Sequence, residues 1–135
     1  RAYGLLAEEA AALARLGCGV VLDGTAHRKA WRDAARAKVA HFAEVHVACP
    51  LDTAMQREAA RPQGHVMAGL YAKALERRRT GRECPGLGQV IGVDVPFEED
   101  PAAECRVDNA GPDPVPAAGA ALDCLRAWLA REGLT

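Results

Sequence analysis

The stretch that organises this chain runs from residue 64 to residue 98 and reads GHVMAGLYAKALERRRTGRECPGLGQVIGVDVPFE. Its first part has the composition of a short helix, and three consecutive arginines follow at positions 77–79. Glycines at positions 81, 86, 88 and 92 then permit a hinged loop. The order predicts a helix with a cationic end, followed by a flexible loop that closes in an acidic turn.

Two interpretations of the basic residues in this stretch stay open. Mobile guanidinium groups that close over a phosphoryl group stabilise its charge while water is excluded. A cationic helix end is also favoured by the helix dipole, and most runs of charge are solvated surfaces. Both interpretations concern the same four side chains, which we call the lid arginines: Arg77, Arg78, Arg79 and Arg82.

Length and composition indicate one ordinary globular domain over residues 1–135. Half of the residues are hydrophobic and the net charge is -1, so no general attraction to nucleic acid or acidic membranes is expected. No apolar run approaches the roughly 20 residues that a membrane-spanning helix needs, and no signal peptide is recognisable. We therefore predict a cytoplasmic protein.

The cysteines are odd in number, widely spaced and without a C-x-x-C pair. This pattern favours reduced thiols over a disulfide framework or a zinc site. The five residues are Cys18, Cys49, Cys84, Cys105 and Cys124.

Hydrophobic periodicity predicts an α/β fold with a parallel sheet. A first helix buries Leu5, Leu6, Ala12, Leu13 and Leu16 and stops at Gly17. Three strands are predicted, at Cys18–Asp23, Phe42–Cys49 and Glu104–Asn109. Helices are predicted at His27–Val39, from a cap at Asp52 to Arg61, and at Ala117–Arg131 with Leu122, Leu125, Trp128 and Leu129 inward.

The first predicted strand matters for function because ligands gather at the carboxyl ends of parallel strands. Asp23 and Thr25 follow that end. A carboxylate there could hold Mg²⁺ through water or orient a nucleophile. The alternative is that both side chains only cap the next helix.

Three motifs in order resemble the adenylylsulfate kinase family. They are Gly69-Leu70-Tyr71-Ala72-Lys73-Ala74, Arg79-Thr80-Gly81 and Ile91-Gly92-Val93-Asp94-Val95-Pro96-Phe97-Glu98. These segments are similar to the family's G-L-Y-x-K-A, R-A-G and T-G-I-D-x-P-Y-E. Residues 1–22 and 103–109 follow the family in the same order, so the resemblance covers most of the chain and corresponds to the C-terminal two-thirds of the family pattern.

The resemblance implies a three-layer α/β/α P-loop kinase fold and an ATP- and Mg²⁺-dependent transferase. The implied reaction phosphorylates the 3′-hydroxyl of adenylylsulfate in sulfate assimilation. Thr25 to Arg28 match the family's S-P-x-R segment, and Val90 takes the place of an aromatic residue that would stack on adenine. The implied catalytic residues are Asp23, Arg79 and Arg82; the implied substrate-binding residues are Thr25, Arg28, Lys73, Val90, Ile91, Gly92 and Asp94. No metal ligands are assigned.

The sequence contains no G-x-x-x-x-G-K-[ST] motif, the loop that holds nucleotide phosphates. In the family this loop and its strand lie upstream of the position that matches Arg1, so we expect the chain to lack both and to be inactive alone. Two alternatives remain open: a related kinase of another small hydroxyl compound, and a degenerate domain that binds an anion or a partner subunit. A small-molecule substrate is expected, with no nucleic acid or membrane partner, and a homodimer is left open.

Overall fold

A computed structural model of the protein describes residues 2–62 and 69–134. In chain order these residues form α1 (Ala2–Arg15), α2 (Lys29–Arg36), β1 (Val45–Ala48), α3 (Leu51–Ala59), α4 (Leu70–Thr80), β2 (Cys105–Asp108) and α5 (Val115–Arg131). The predicted start of the lid segment at residue 64 falls on residues 63–68, outside the described residues. The mixed α/β class is confirmed, while the three-layer arrangement stays a prediction.

The two strands pair in parallel. The Cys105 N–H donates to the Glu44 carbonyl (3.0 Å), and the Asn109 N–H donates to the Ala48 carbonyl (2.8 Å). Both pairs are separated by the same sequence offset, as a parallel register requires. Within residues 2–62 and 69–134, these are the only two strands of the sheet.

The chain divides into two compact units, which we describe separately. The first comprises residues 1–47, 98–107 and 113–135, and the second comprises residues 48–97 and 108–112. The first unit therefore holds α1, α2 and α5, and the second holds α3 and α4. The expectation of one domain over residues 1–135 stays a prediction.

The predicted strand at Cys18–Asp23 is wrong. These residues form no strand and lie at the surface, with Val21 90% exposed. An apolar run becomes a strand only if a neighbouring strand supplies partners for its backbone groups. Among the described residues the sheet contains only β1 and β2, so residues 18–23 have no neighbouring strand with which to form backbone hydrogen bonds.

Helix α1 forms as predicted but faces the other way. Alanine, leucine and glutamate favour the helix, and Gly17 follows it at φ +81°. Its buried residues are Ala7 and Ala11, whereas Leu5, Leu6, Leu13 and Leu16 are between 45 and 79% exposed. The predicted buried face is therefore wrong for these leucines, because the helix buries its small side chains instead and stacks Tyr3 on Trp31 of α2.

Helices α3 and α5 differ in detail from the predictions. Pro50 occupies the N-cap position of α3, so Asp52 lies in the first turn, where its charge favours the helix dipole without capping the helix. In α5 the predicted inward Leu122 is 54% exposed, and Leu125, Trp128 and Leu129 are half-buried. α5 thus lies on the surface with one partly covered side.

The prediction of reduced cysteines is wrong for one pair. Cys105 in β2 and Cys124 in α5 form a disulfide, with their Cα atoms 6.0 Å apart. The two residues are 19 positions apart in sequence, so no short motif indicates the bond, and their Cα distance lies within the range that a disulfide spans. Cys18, Cys49 and Cys84 are free.

Candidate functional site

The end of α4 organises the glycine-rich loop of the second unit. Gly81 terminates the helix at φ +71°, a conformation that favours glycine. One turn earlier, Arg77 donates to the carbonyls of Leu87 (2.9 Å) and Gly88 (3.1 Å) and pairs with Asp94 (2.6 Å). A single guanidinium therefore holds three points of the loop against the helix.

Asp94 is the second organiser of this loop. Its Oδ2 accepts the Val90 N–H (2.7 Å) as well as a bond from Arg77. The Val90 N–H, which has the largest effect, and Arg77 lower the pKa of Asp94, outweighing the partial desolvation that raises it. The carboxylate thus stays charged and closes a turn over residues 90–94.

Gly92 sits inside that turn and cannot be replaced freely. Its φ is +90°, and a Cβ built there would lie 3.0 Å from Leu51 Cδ1. Its N–H donates to the Val95 carbonyl (2.7 Å), and Ile91 forms an isolated bridge with Val95. The loop therefore approaches α3 closely with a conformation that favours glycine.

Val90 belongs to the core of the second unit. Its side chain is 2% exposed, so it presents no surface to a ligand in this conformation. A role in substrate binding stays a prediction, and it would require the loop to open.

We expect Val90→Phe to destabilise the protein. The larger ring must displace packed neighbours, and overpacking of this kind costs about 1–3 kcal/mol. Val115→Phe is the matched control because Val115 is 69% exposed. Urea unfolding of both variants measures the difference, and equal stabilities would show that the loop accommodates an aromatic ring at position 90.

The remaining predicted site residues of the second unit are exposed side chains on and after α4. Lys73, Arg79 and Arg82 are all at the surface. Arg79 pairs with Glu76 one turn before it (2.7 Å), and this pair is 72% and 55% exposed. Such a pair is screened by water and weakly held, so Arg79 remains available to a stronger anion.

The predicted site residues of the first unit lie on the loop that leads into α2. Asp23 and Thr25 are exposed. Arg28, at the N-cap of α2, is also exposed, and its guanidinium carbon lies 5.5 Å from the Trp31 ring centre. Trp31 also stacks on Tyr3, with ring centres 4.9 Å apart. The loop thus carries a carboxylate, a hydroxyl and a cation beside an aromatic pair.

The structure brings the predicted site residues together in two groups. Asp23, Thr25 and Arg28 belong to the first unit. The second unit contains Lys73, Arg79, Arg82, Val90, Ile91, Gly92 and Asp94. Within the second group, Val90 and Asp94 are in direct contact.

A cavity of about 390 Å³ lies in the second unit just beyond Ala48 and Asp108, the last residues of β1 and β2. Arg57 lines this cavity. Its Nη2 donates a hydrogen bond to the Gly111 carbonyl, and its Nη1 donates one to Cys49 Sγ (3.6 Å). Asn109 Oδ1 is buried and has no hydrogen-bond partner among the described residues. The cavity therefore offers a fixed guanidinium plane and an acceptor oxygen that lacks a donor.

Comparison with known proteins decides the family. A family profile described as adenylylsulphate kinase matches residues 3–108, more than half of the chain. The chain belongs to the adenylylsulphate kinase family. A probable adenylyl-sulfate kinase of Archaeoglobus fulgidus is 33% identical over 105 residues, which cover 78% of this chain and 57% of that relative. The chain thus spans little more than half the length of the relative. No solved structure matches the chain significantly.

For this member of the adenylylsulphate kinase family, the described residues show no group of three His, Cys, Asp or Glu side chains that could hold a metal ion. None of their helices has the length and hydropathy to cross a membrane. Neither finding assigns a site.

Sequence reasoning missed the residues that hold the site of this adenylylsulphate kinase family member in shape. Arg77 was grouped with the other lid arginines, although it alone joins α4 to Asp94 among the described residues. Arg32, in the helix predicted at His27–Val39, is 8% exposed and pairs with the similarly buried Glu44. A buried charge requires a partner, yet sequence spacing alone gives no sign of a partner twelve residues away, just before β1.

Proposed function

We propose that the protein supplies the acceptor-binding and lid portion of an ATP-dependent phosphotransferase that phosphorylates the 3′-hydroxyl of adenylylsulfate, a step of sulfate assimilation. The observation that carries this proposal is the loop of residues 81–98, fastened by Arg77 and Asp94 to a helix that ends in cations. A fixed loop beside mobile cations suits phosphoryl transfer, because that reaction depends on positioning and on stabilising negative charge.

The cavity beyond β1 and β2 supports the use of a purine nucleotide. A planar base could stack on the guanidinium of Arg57, which Gly111 and Cys49 hold in place. The exocyclic amine of adenine would give Asn109 Oδ1 the donor it lacks. The cavity lies at the carboxyl ends of two parallel strands, which is where ligands generally bind in such sheets.

In this proposal the chain's own residues bind and orient the two substrates. The proposed acceptor-binding residues are Thr25 and Arg28 in the first unit and Lys73 in the second unit. Arg79 and Arg82 neutralise the charge of the transferred group. Asp23 orients the acceptor hydroxyl. When bound, Mg²⁺ would neutralise phosphate oxygens of ATP, and no described cluster of side chains is assigned to it.

A related kinase with a different small hydroxyl acceptor is the second candidate. The burial of Val90 favours it, because this position offers neither an aromatic ring nor an exposed face for an adenine in the acceptor. The two candidates differ in whether adenylylsulfate binds.

Lys73→Ala tests the proposal. Lys73 is exposed on α4 and matches the family's G-L-Y-x-K-A motif. Loss of a charge-assisted contact of roughly 1.5–3 kcal/mol should weaken adenylylsulfate binding about 10- to 100-fold. Calorimetry on a version of the protein that carries a Walker-type loop upstream of Arg1 measures the dissociation constant for adenylylsulfate. Arg126→Ala, which removes an exposed cation from α5, is the control. Binding unchanged by Lys73→Ala would remove this residue from the site, and no binding by the parent would favour the second candidate.

A further inference from the structure

The loop before α2 has a strained backbone that several side chains hold in place. Ala26 has φ +33°, the only non-glycine residue with positive φ among the described residues. Such a conformation is unfavourable for a residue with a Cβ and persists only where the surroundings enforce it. Strain of this kind is concentrated at functional sites, and Ala26 lies between Thr25 and Arg28.

Arg32 is the centre of the restraint. From the buried face of α2 its Nη1 donates to the Ala26 carbonyl (2.7 Å), and its Nη2 donates to the Glu98 carbonyl. Its Nε lies 2.9 Å from Glu44 Oε1 in an ion pair that is largely excluded from water. Arg32 thereby fixes the strained residue to Glu98, the last residue of the V-D-V-P-F-E segment.

Tyr3 and Glu98 complete the arrangement. The Ala26 N–H donates to the Tyr3 hydroxyl (2.9 Å), while the Tyr3 ring stacks on Trp31. The Glu98 N–H donates to the His27 carbonyl (2.8 Å), and the Lys29 N–H donates to Glu98 Oε2 (2.8 Å). Residues 26, 27 and 29 therefore each have a backbone group fixed by Tyr3, Arg32 or Glu98.

We propose that Arg32 and Tyr3 are positioning residues for the acceptor: they hold residues 25–28 so that Thr25 and Arg28 face the acceptor with a fixed geometry. This inference rests on the proposed function, because it takes these two residues as part of the acceptor site. Neither Arg32 nor Tyr3 touches the substrate. Their effect is on acceptor binding, whereas the nucleotide cavity lies in the other unit and makes no use of them.

Arg32→Lys and Tyr3→Phe test the inference in a version of the protein that carries a Walker-type loop. The lysine keeps a charge opposite Glu44 but has a single nitrogen in place of the fork that reaches both carbonyls. The phenylalanine keeps the stack on Trp31 and loses only the hydroxyl. Arg36→Lys is the matched control, since Arg36 lies one turn further along α2 and pairs with Glu104, away from residues 25–28.

We expect Arg32→Lys to raise the KM for adenylylsulfate about tenfold and Tyr3→Phe to raise it about threefold, with the KM for ATP within about twofold of the parent. Amide exchange at Ala26 should accelerate in both variants but not in Arg36→Lys. Equal effects of Arg32→Lys and Arg36→Lys on both KM values, together with no effect of Tyr3→Phe, would overturn the positioning role.

The parent protein separates this failure from failure of the proposed function. A parent that neither binds adenylylsulfate nor phosphorylates it overturns the proposed function and the positioning role together. In that case amide exchange at Ala26 still reports whether the restraint exists. A parent that is active while both variants match the control overturns the positioning role alone.

Discussion

The 135-residue chain, prepared as given, is expected to release no ADP from ATP and Mg²⁺ in the presence of adenylylsulfate. Phosphoryl transfer depends on holding the β- and γ-phosphates in line with the acceptor. The sequence contains no G-x-x-x-x-G-K-[ST] motif to hold them, and Arg79 and Arg82 are exposed, weakly held point charges. Such cations attract ATP without fixing its orientation.

A coupled assay of the chain beside a version with a Walker-type loop upstream of Arg1 measures this difference. We expect turnover only in the longer version. A further version with Lys to Ala in the added loop is the control, and it should match the short chain. Clear turnover by the 135-residue chain would show that its own residues hold the nucleotide phosphates, against our assignment of that role to a separate loop.

Asp94→Ala is expected to reduce turnover of the longer version about 100-fold or more. The substitution removes the acceptor of both the Val90 N–H and the Arg77 guanidinium, so the Val90 N–H loses its partner and Arg77 loses its ion pair. Hydrogen bonds to charged groups are stronger than those between neutral groups, and Asp94 accepts from both a guanidinium and a backbone N–H. The turn over residues 90–94 then loses its attachment to Arg77, while the bonds from Arg77 to the carbonyls of Leu87 and Gly88 remain.

Asp94→Asn separates geometry from charge, because its amide oxygen can still accept the Val90 N–H. We expect an intermediate loss of turnover. Asp123→Ala is the control, since Asp123 pairs with Arg126 on an exposed face of α5, and it should behave as the parent. Turnover unaffected by Asp94→Ala would mean that the fastened loop has no part in catalysis.

The lowered pKa of Asp94 also gives this loop a pH dependence. A carboxyl whose pKa is depressed in the folded state stabilises that state above its ordinary value of 3.8 and stops doing so as the pH falls through the lowered value. The ion pair between Asp94 and Arg77 should therefore be complete at neutral pH and lost only in strong acid.

The helices were predictable from the sequence because their signals are local. Gly17 and Gly81 end α1 and α4 where the pattern places them, and alanine and leucine favour the helix between such stops. The strands at Phe42–Cys49 and Glu104–Asn109 were also found, although β1 and β2 are shorter. These assignments depend on neighbouring residues only.

The sequence predictions that proved wrong concern the tertiary contacts of each helix and strand. Residues 18–23 have the composition of a buried strand, but a strand also needs a partner, and composition cannot supply one. Leu5 and Leu16 mark an apolar face of α1, yet the buried residues of this helix are Ala7 and Ala11. Cys105 in β2 and Cys124 in α5 form a disulfide, which spacing in sequence does not show.

Some features of the candidate site were also predictable from the sequence, and others were not. Motif order located the loop of residues 81–98, the family and the exposed cations. It did not distinguish Arg77 from its neighbours, because only the fold shows which arginine reaches Asp94. It also overlooked Arg32, since a buried arginine and a solvated one have the same sequence pattern.

In the proposed function, Thr25, Arg28 and Lys73 bind adenylylsulfate as the acceptor of a phosphoryl group. The most direct measurement is the identity of the product formed by the longer version from ATP and adenylylsulfate, determined by chromatography and mass spectrometry. We expect ADP and adenylylsulfate phosphorylated at its 3′-hydroxyl, in equal amounts and with no product when the acceptor is omitted. ADP release that is independent of adenylylsulfate, or phosphorylation of another hydroxyl compound in its place, would contradict it.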